Sequence, residues 1–233
     1  MFKKNTILKY ESSIDTYTDS ITPAKKHIPD WYKKISKWKD GEIFSLEKGF
    51  QPTLKQCIPF LESLTTGYMI TLPYDLYVKN NNGSPFLTWP KGIENPPKWR
   101  SEISDAKIVP LGHAPVEYAW DCCVSYLVPK GYSIVFTHPL NRHDLPFTTL
   151  SSIIDGDFVV SPHGNVPFYI KEGFEGIIPQ GTPIAQLIPF RQESWKLEIS
   201  KGLVVKGEQN NKKTSSVIFG WYKKNYWIKK EYL

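Results

Sequence analysis

Turn-forming residues interrupt positions 101–200 at roughly the 8–12-residue spacing of β-sandwiches and barrels. Tyr118–Val128 is an aromatic-to-aliphatic run, Pro129-Lys130-Gly131 a tight turn, and Tyr132–Thr137 a strand. Phe158–Val160, Phe168–Ile170, Glu175–Ile178 and Ile184–Pro189 follow as short strands separated by Gly, Pro or His. No stretch here carries a 3.6-period apolar stripe long enough for a crossover helix, which excludes βαβ architecture. Composition agrees: 14% aromatic residues with Pro 19 and Gly 15 suit strands and turns.

The flanking regions read differently. Residues 1–56 form a basic, aromatic N-terminal arm packed on the core, 57–200 the β core domain, and 201–233 a polar loop followed by an aromatic, basic C-terminal segment. Pro29-Asp30-Trp31 opens a short helix, with Asp30 as a cap and Trp31, Ile35 and Trp38 on one face. That face either covers the end of the β structure or docks a partner. Phe60, Leu61 and Leu64 form a helical turn closed by Gly67. Leu76 and Val78 alternate with Tyr77 and Lys79, and Asn80-Asn81-Asn82-Gly83 turns that strand back towards Phe86–Trp89. Gly207–Ser216 reads as a flexible loop. After it, Trp221 and Ile228 share a face of a terminal helix, an edge strand being the alternative.

Lys+Arg 29 against Asp+Glu 23 leave a net charge of +6, concentrated at the two ends. Nucleic acid is one partner such ends allow, and a solvated lysine face is the plainer reading. Cys57, Cys122 and Cys123 have no disulfide or metal-ligand spacing and fit reduced thiols. No apolar run spans a membrane. The expected location is the cytoplasm of a host cell, or a virion.

The densest polar cluster is Thr137-His138-Pro139-Leu140-Asn141-Arg142-His143-Asp144, just after a strand, where a rigid frame presents loop groups. His138 and His143, with His163 as third ligand, form a candidate divalent-metal site. Their spacing puts His138 and His143 on opposite sides of an extended segment, and a hydrogen-bonded polar loop is the alternative. Asn141, Arg142, Asp144, Asp155, Asp157 and Gln186 are the candidate ligand-binding residues. No nucleophile elbow or phosphate-cradling Gly-rich loop occurs, so no catalytic residue is assigned.

Two resemblances extend this. Ile153-Ile154-Asp155-Gly156-Asp157-Phe158, followed by Gly181-Thr182-Pro183-Ile184-Ala185-Gln186-Leu187-Ile188, resembles part of the β-clip of dUTPases and dCTP deaminases. There such segments meet the pyrimidine and form the strand after it. The Arg-Ser-Ser phosphate motif is replaced by His138–Asp144, and the Gly-rich C-terminal arm is missing. The broader motif order is similar to that of an uncharacterised family of marine tailed phages with distant bacterial relatives. It runs through Pro29–Lys33, Lys55–Phe60, Thr66-Gly67-Tyr68, Leu87-Thr88-Trp89, Thr137–Asn141, Ile154–Asp157 and Pro179–Gln186. It implies a phage origin and no specific activity.

The fold expected is thus mainly β, a jelly-roll or β-clip-like sandwich or barrel with short flanking helices at the termini. Three functions follow. The first is a phage-type binding or structural module without catalysis, in which Gln186 bonds backbone from a core strand and the partner is a protein or small ligand. The second is a jelly-roll metal enzyme of the non-haem iron oxygenase kind, built on the 138–144 loop. The third is a pyrimidine-nucleotide-binding β-clip protein, with Asp155, Asp157 and Gln186 at the pocket and Arg142 near phosphate.

Overall fold

Alternation at Leu76–Lys79 does what the period implies: Leu76 and Val78 are buried while Tyr77 and Lys79 face water. The same alternation recurs at Ser84–Thr88, Val124–Leu127 and Phe147–Thr149. The computed structural model describes residues 6–41, 43–46, 49–102, 109–161, 165–216 and 220–233. Its strands begin with β1 (Lys9–Ser12), β2 (Ile21–Pro23), β3 (Phe44–Ser45), β4 (Gly49–Phe50), β5 (Tyr68–Thr71), β6 (Leu76–Asn81), β7 (Ser84–Thr88) and β8 (Lys98–Glu102). They continue with β9 (His113–Asp121), β10 (Val124–Leu127), β11 (Tyr132–Thr137), β12 (Phe147–Thr149), β13 (Ser152–Asp155), β14 (Asn165–Lys171), β15 (Gly176–Ile178) and β16 (Pro183–Arg191). The helices are α1 (Asp30–Lys34), α2 (Ile58–Thr65), α3 (Leu203–Ser216) and α4 (Trp221–Asn225).

The fold is mainly β, with antiparallel pairing and no closed barrel among the described residues. The largest sheet has the order β13-β11-β16-β5-β2, and a second has β12-β14-β9-β8. A smaller sheet, β15-β6-β7, and the pairs β1-β10 and β3-β4 complete the set. The N-terminal segment lends strands to the body: β1 pairs with β10 and β2 with β5.

The core is aromatic where the two large sheets meet. Trp120 of β9 stacks on Phe168 of β14 with ring centroids 3.5 Å apart, and Phe147 of β12 stands edge-on to Trp120. A buried indole N–H needs an acceptor. Trp120 donates to Thr149 Oγ1 at 3.1 Å, and that hydroxyl donates to the Ile184 carbonyl at 2.6 Å. One threonine thus joins a strand of one sheet to a strand of the other.

Several local expectations change. Tyr118–Val128 is not continuous: Cys123 takes φ 50° and breaks it into β9 and β10. The Asp121 carboxylate accepts the Cys123 N–H at 3.3 Å, and Ser13 N–H donates to the Cys123 carbonyl at 2.9 Å, which fixes the corner. Helix α1 stops at Lys34, so Ile35 and Trp38 lie beyond it. Pro29 holds the cap position, while the Asp30 carboxylate pairs with Lys33. Gly207–Ser216 is helical, within α3. This stretch of the helix is polar on every side, so it carries no apolar stripe for sequence periodicity to register. Ile228 lies past the end of α4.

Candidate functional site

The 138–144 loop leaves the end of β11, and its side chains turn towards α2 and α1. Asn141, at φ 60°, donates through Nδ2 to Ser63 Oγ at 2.6 Å. Arg142 grips Asp144 through Nε and Nη2, both at 2.9 Å, and reaches the His27 carbonyl at 3.5 Å. The Trp31 indole N–H donates to the same Asp144 carboxylate at 3.2 Å. Burial alone would raise the Asp144 carboxyl. The Arg142 hydrogen bonds and charge, with the Trp31 indole, outweigh it and hold the group below the usual range. The loop is therefore buckled to the N-terminal segment by a charge-assisted network.

Gln186 is the centre of a second buckle. It lies in β16, wholly buried. Its Oε1 accepts the Leu140 N–H at 2.8 Å, and its Nε2 donates to the carbonyls of Ser63 at 3.1 Å and Thr66 at 2.7 Å. Carbonyls at the end of a helix lack intrahelical partners. Gln186 supplies them for α2 and ties the 138–144 loop to the same point. Gly67 allows this approach: at φ 74° it passes so near β16 that a Cβ would sit 1.9 Å from the Leu187 carbonyl oxygen.

Asn141, Arg142, Asp144 and Gln186 thus come together, but as a holding network. Asp155 and Asp157 sit elsewhere. β11 pairs Ser133 with Asp155 at one end and Thr137 with Gln186 at the other. Four residues of extended chain separate them, about 13 Å. Asp155 accepts from Ser133 Oγ at 2.7 Å. Asp157 takes φ 65° in a turn, its N–H donating to the Val128 carbonyl at 3.2 Å.

His138 has both ring nitrogens committed. Nδ1 accepts the Thr149 N–H at 3.3 Å, which leaves Nε2 to donate to the Arg142 carbonyl at 3.2 Å. Burial lowers its pKa. His143 is exposed, and His163 lies outside the described residues. Among the described residues no group of three or more His, Cys, Asp or Glu side chains is placed to hold a metal ion.

Sequence reading missed three partners. Ser63, Trp31 and His27 meet the loop only through tertiary packing. It also missed the Asp121 corner, where a fully buried carboxylate pairs with Lys98 at 2.8 Å. A lone acid inside the apolar run 118–128 was the available signal. Burial and Asp121 push the Cys123 thiol up to about 12, and burial raises Cys122 too. Both are inert filler, not nucleophiles.

Among the described residues no helix is long and apolar enough to cross a membrane. No protein-family model matches the sequence, and no curated protein does. Among solved structures, EIAV dUTPase overlaps 84% of this chain and 98% of its own, at 13% identity and a TM-score of 0.32. A dUTPase from phage phi11 of S. aureus overlaps 69% of this chain and 94% of its own, at 12% identity and 0.30. Staphylococcus bacteriophage 80alpha dUTPase overlaps 58% and 85%, at 14% identity and 0.28. Overlaps this loose carry no function across to this chain.

Proposed function

We infer that the chain is a β-rich binding or structural module without catalysis, of the phage type its motif order resembles, and that it docks through the segment following β16. One observation carries this. Every residue from Phe190 to Thr214 is exposed, yet Trp195, Leu197 and Ile199 are apolar and 88, 97 and 97% accessible. They alternate with Lys196 and Glu198, the period of a strand with one covered face. Solitary soluble proteins rarely leave so long an apolar run open to water. The polar cluster supports the same reading from the opposite direction, since its groups hold α1 and α2 in place. A nucleotide site would need Asp155, Gln186 and Arg142 around one ligand, and the length of β11 keeps them apart. A metal site would need His138 free of the Thr149 and Arg142 backbone.

The test is photo-cross-linking in cells that make the protein. A benzophenone amino acid at Leu197 is compared with one at Asn81, on the exposed hairpin tip. Adducts several-fold more abundant from 197 are expected. Equal yields from the two positions would overturn the reading.

A further inference from the structure

We propose that the partner of this segment is a second copy of the same chain, which receives residues 195–199 as an added strand on the outer edge of β13. The proposal rests on the docking reading above and names its occupant. Residue Gln192 is clamped to the end of the large sheet: its N–H donates to the Gly131 carbonyl at 2.9 Å and its Nε2 to Ser133 Oγ at 3.0 Å. From there the chain continues past the last β11–β16 pair, Tyr132 with Arg191. Neither Gly nor Pro occurs between Gln192 and Lys201, and the next residue at positive φ is Gly202. An extended run of that length reaches about 30 Å. Its own sheet leaves Trp195, Leu197 and Ile199 uncovered, at 88, 97 and 97% exposure. Helix α3 does not cover them either, since Leu203, Val204 and Val205 are themselves exposed.

The same chain carries a matching receptor. β13 ends the five-stranded sheet, and no described strand lies on its outer side. Unpaired edges of this kind accept a further strand through main-chain hydrogen bonds, with side-chain pockets supplying selectivity. Around it Ile153, Phe158 and Val159 are 66, 65 and 58% exposed. Beside it opens an apolar slot of 290 Å³ lined by Val124, Tyr126, Phe136, Ile154, Val160 and Val166. Donor and receptor are both apolar and both uncovered in a single copy, and the donor alternates apolar and charged residues as a strand does. Because they are different surfaces of one chain, each copy gives one segment and takes one, which closes as an exchange or a ring.

The test is sedimentation of the purified full-length protein at micromolar concentration, with far-UV circular dichroism to confirm folding. Three proteins are compared: the natural sequence, Trp195→Ser/Leu197→Ser/Ile199→Ser, and Ile153→Lys. All substituted side chains are exposed, so the spectra should coincide. The natural protein should sediment as an oligomer and both variants as monomers, with association weakened about 100-fold or more, as for loss of a central interface anchor. A monomeric natural protein would overturn the proposal. So would an oligomer that survives the triple substitution, or one that survives Ile153→Lys. In each of those cases, excess adducts from position 197 to a different protein would leave the docking reading standing, and their absence would remove both.

Discussion

Replacing Gln186 by Met separates a holding role from a binding role. The two side chains have similar length and volume, so little cavity forms. What is lost is three hydrogen bonds inside a fully buried site: the Leu140 N–H loses its acceptor, and the carbonyls of Ser63 and Thr66 lose their donor. Each buried backbone group left unpaired costs about 1–3 kcal/mol. The three together cost roughly 3–6 kcal/mol, allowing for partial relaxation of the α2 end. A domain of ordinary stability has about 5–15 kcal/mol in all. At about 2–4 °C per kcal/mol for a chain of this size, Tm falls by roughly 6–24 °C.

The assay is thermal and guanidinium unfolding of Gln186→Met beside Asp155→Ala. Asp155 holds a single bond, to Ser133, at the far end of β11. It should cost about 1 kcal/mol or less. A Gln186→Met protein that melts within 3 °C of the natural one, or no lower than Asp155→Ala, would refute the claim that this glutamine ties β16 to α2 and the 138–144 loop.

Other outcomes follow from the same geometry. Arg142→Ala removes the Asp144 grip and the His27 carbonyl contact, and should cost about 1 kcal/mol, because Asp144 is partly solvated and its pairing screened; unfolding of the single variant measures it. Gly67→Ala forces a Cβ onto the Leu187 carbonyl at a positive φ and should destabilise by several kcal/mol, roughly 3 or more, read as loss of soluble folded protein. In the native protein only Cys57 of the three thiols is exposed, so a colourless-to-coloured thiol reagent at pH 8 should count one, rising to three in denaturant. His138 and His27 both have pKa values lowered by burial, with Arg142 and Lys26 adding to the effect at His27. The unfolded chain therefore binds protons more readily, so stability is full above the unfolded value, about 6.5, and falls as pH drops below it. Tm measured from pH 7.5 to 5 should decline, and a flat profile would contradict the assignment.

How much of this was legible beforehand depends on how far apart the partners lie in sequence. The β6–β7 hairpin was legible because Asn80, Asn82 and Gly83 state the turn locally: Asn82 and Gly83 take φ 52° and 88°, and the Gly83 N–H donates to Asn80 Oδ1. Gln186 was legible as a core residue bonded to backbone, since it sits alone among Ile184, Ala185, Leu187 and Ile188. Its partners were not, because Ser63 and Thr66 come from a helix that only the β5–β16 pairing brings close. The separation of Asp155 from Arg142 was equally hidden. It depends on the register of β11 with two neighbours, and a one-residue slip in either would have changed which side chains share a face.

The candidate site shows why polar density by itself does not single out a binding surface. Polar groups at a functional surface keep some capacity for an incoming ligand, whereas Asn141, Arg142, Asp144 and Gln186 are matched to partners within the chain. Arg142 meets Asp144, Asp144 also meets Trp31, Asn141 meets Ser63, and Gln186 meets three backbone groups. The usual distribution is inverted in the segment after β16, where Trp195, Leu197 and Ile199 lie in water. Burying a polar group without a partner and exposing a large apolar one both cost free energy. The fold meets the first cost in the loop with partners inside the chain and leaves the second in place on the arm. Association removes a cost left in place on one contiguous strand-patterned face, and on the proposed reading the arm is the docking element and the polar loop the frame that supports it.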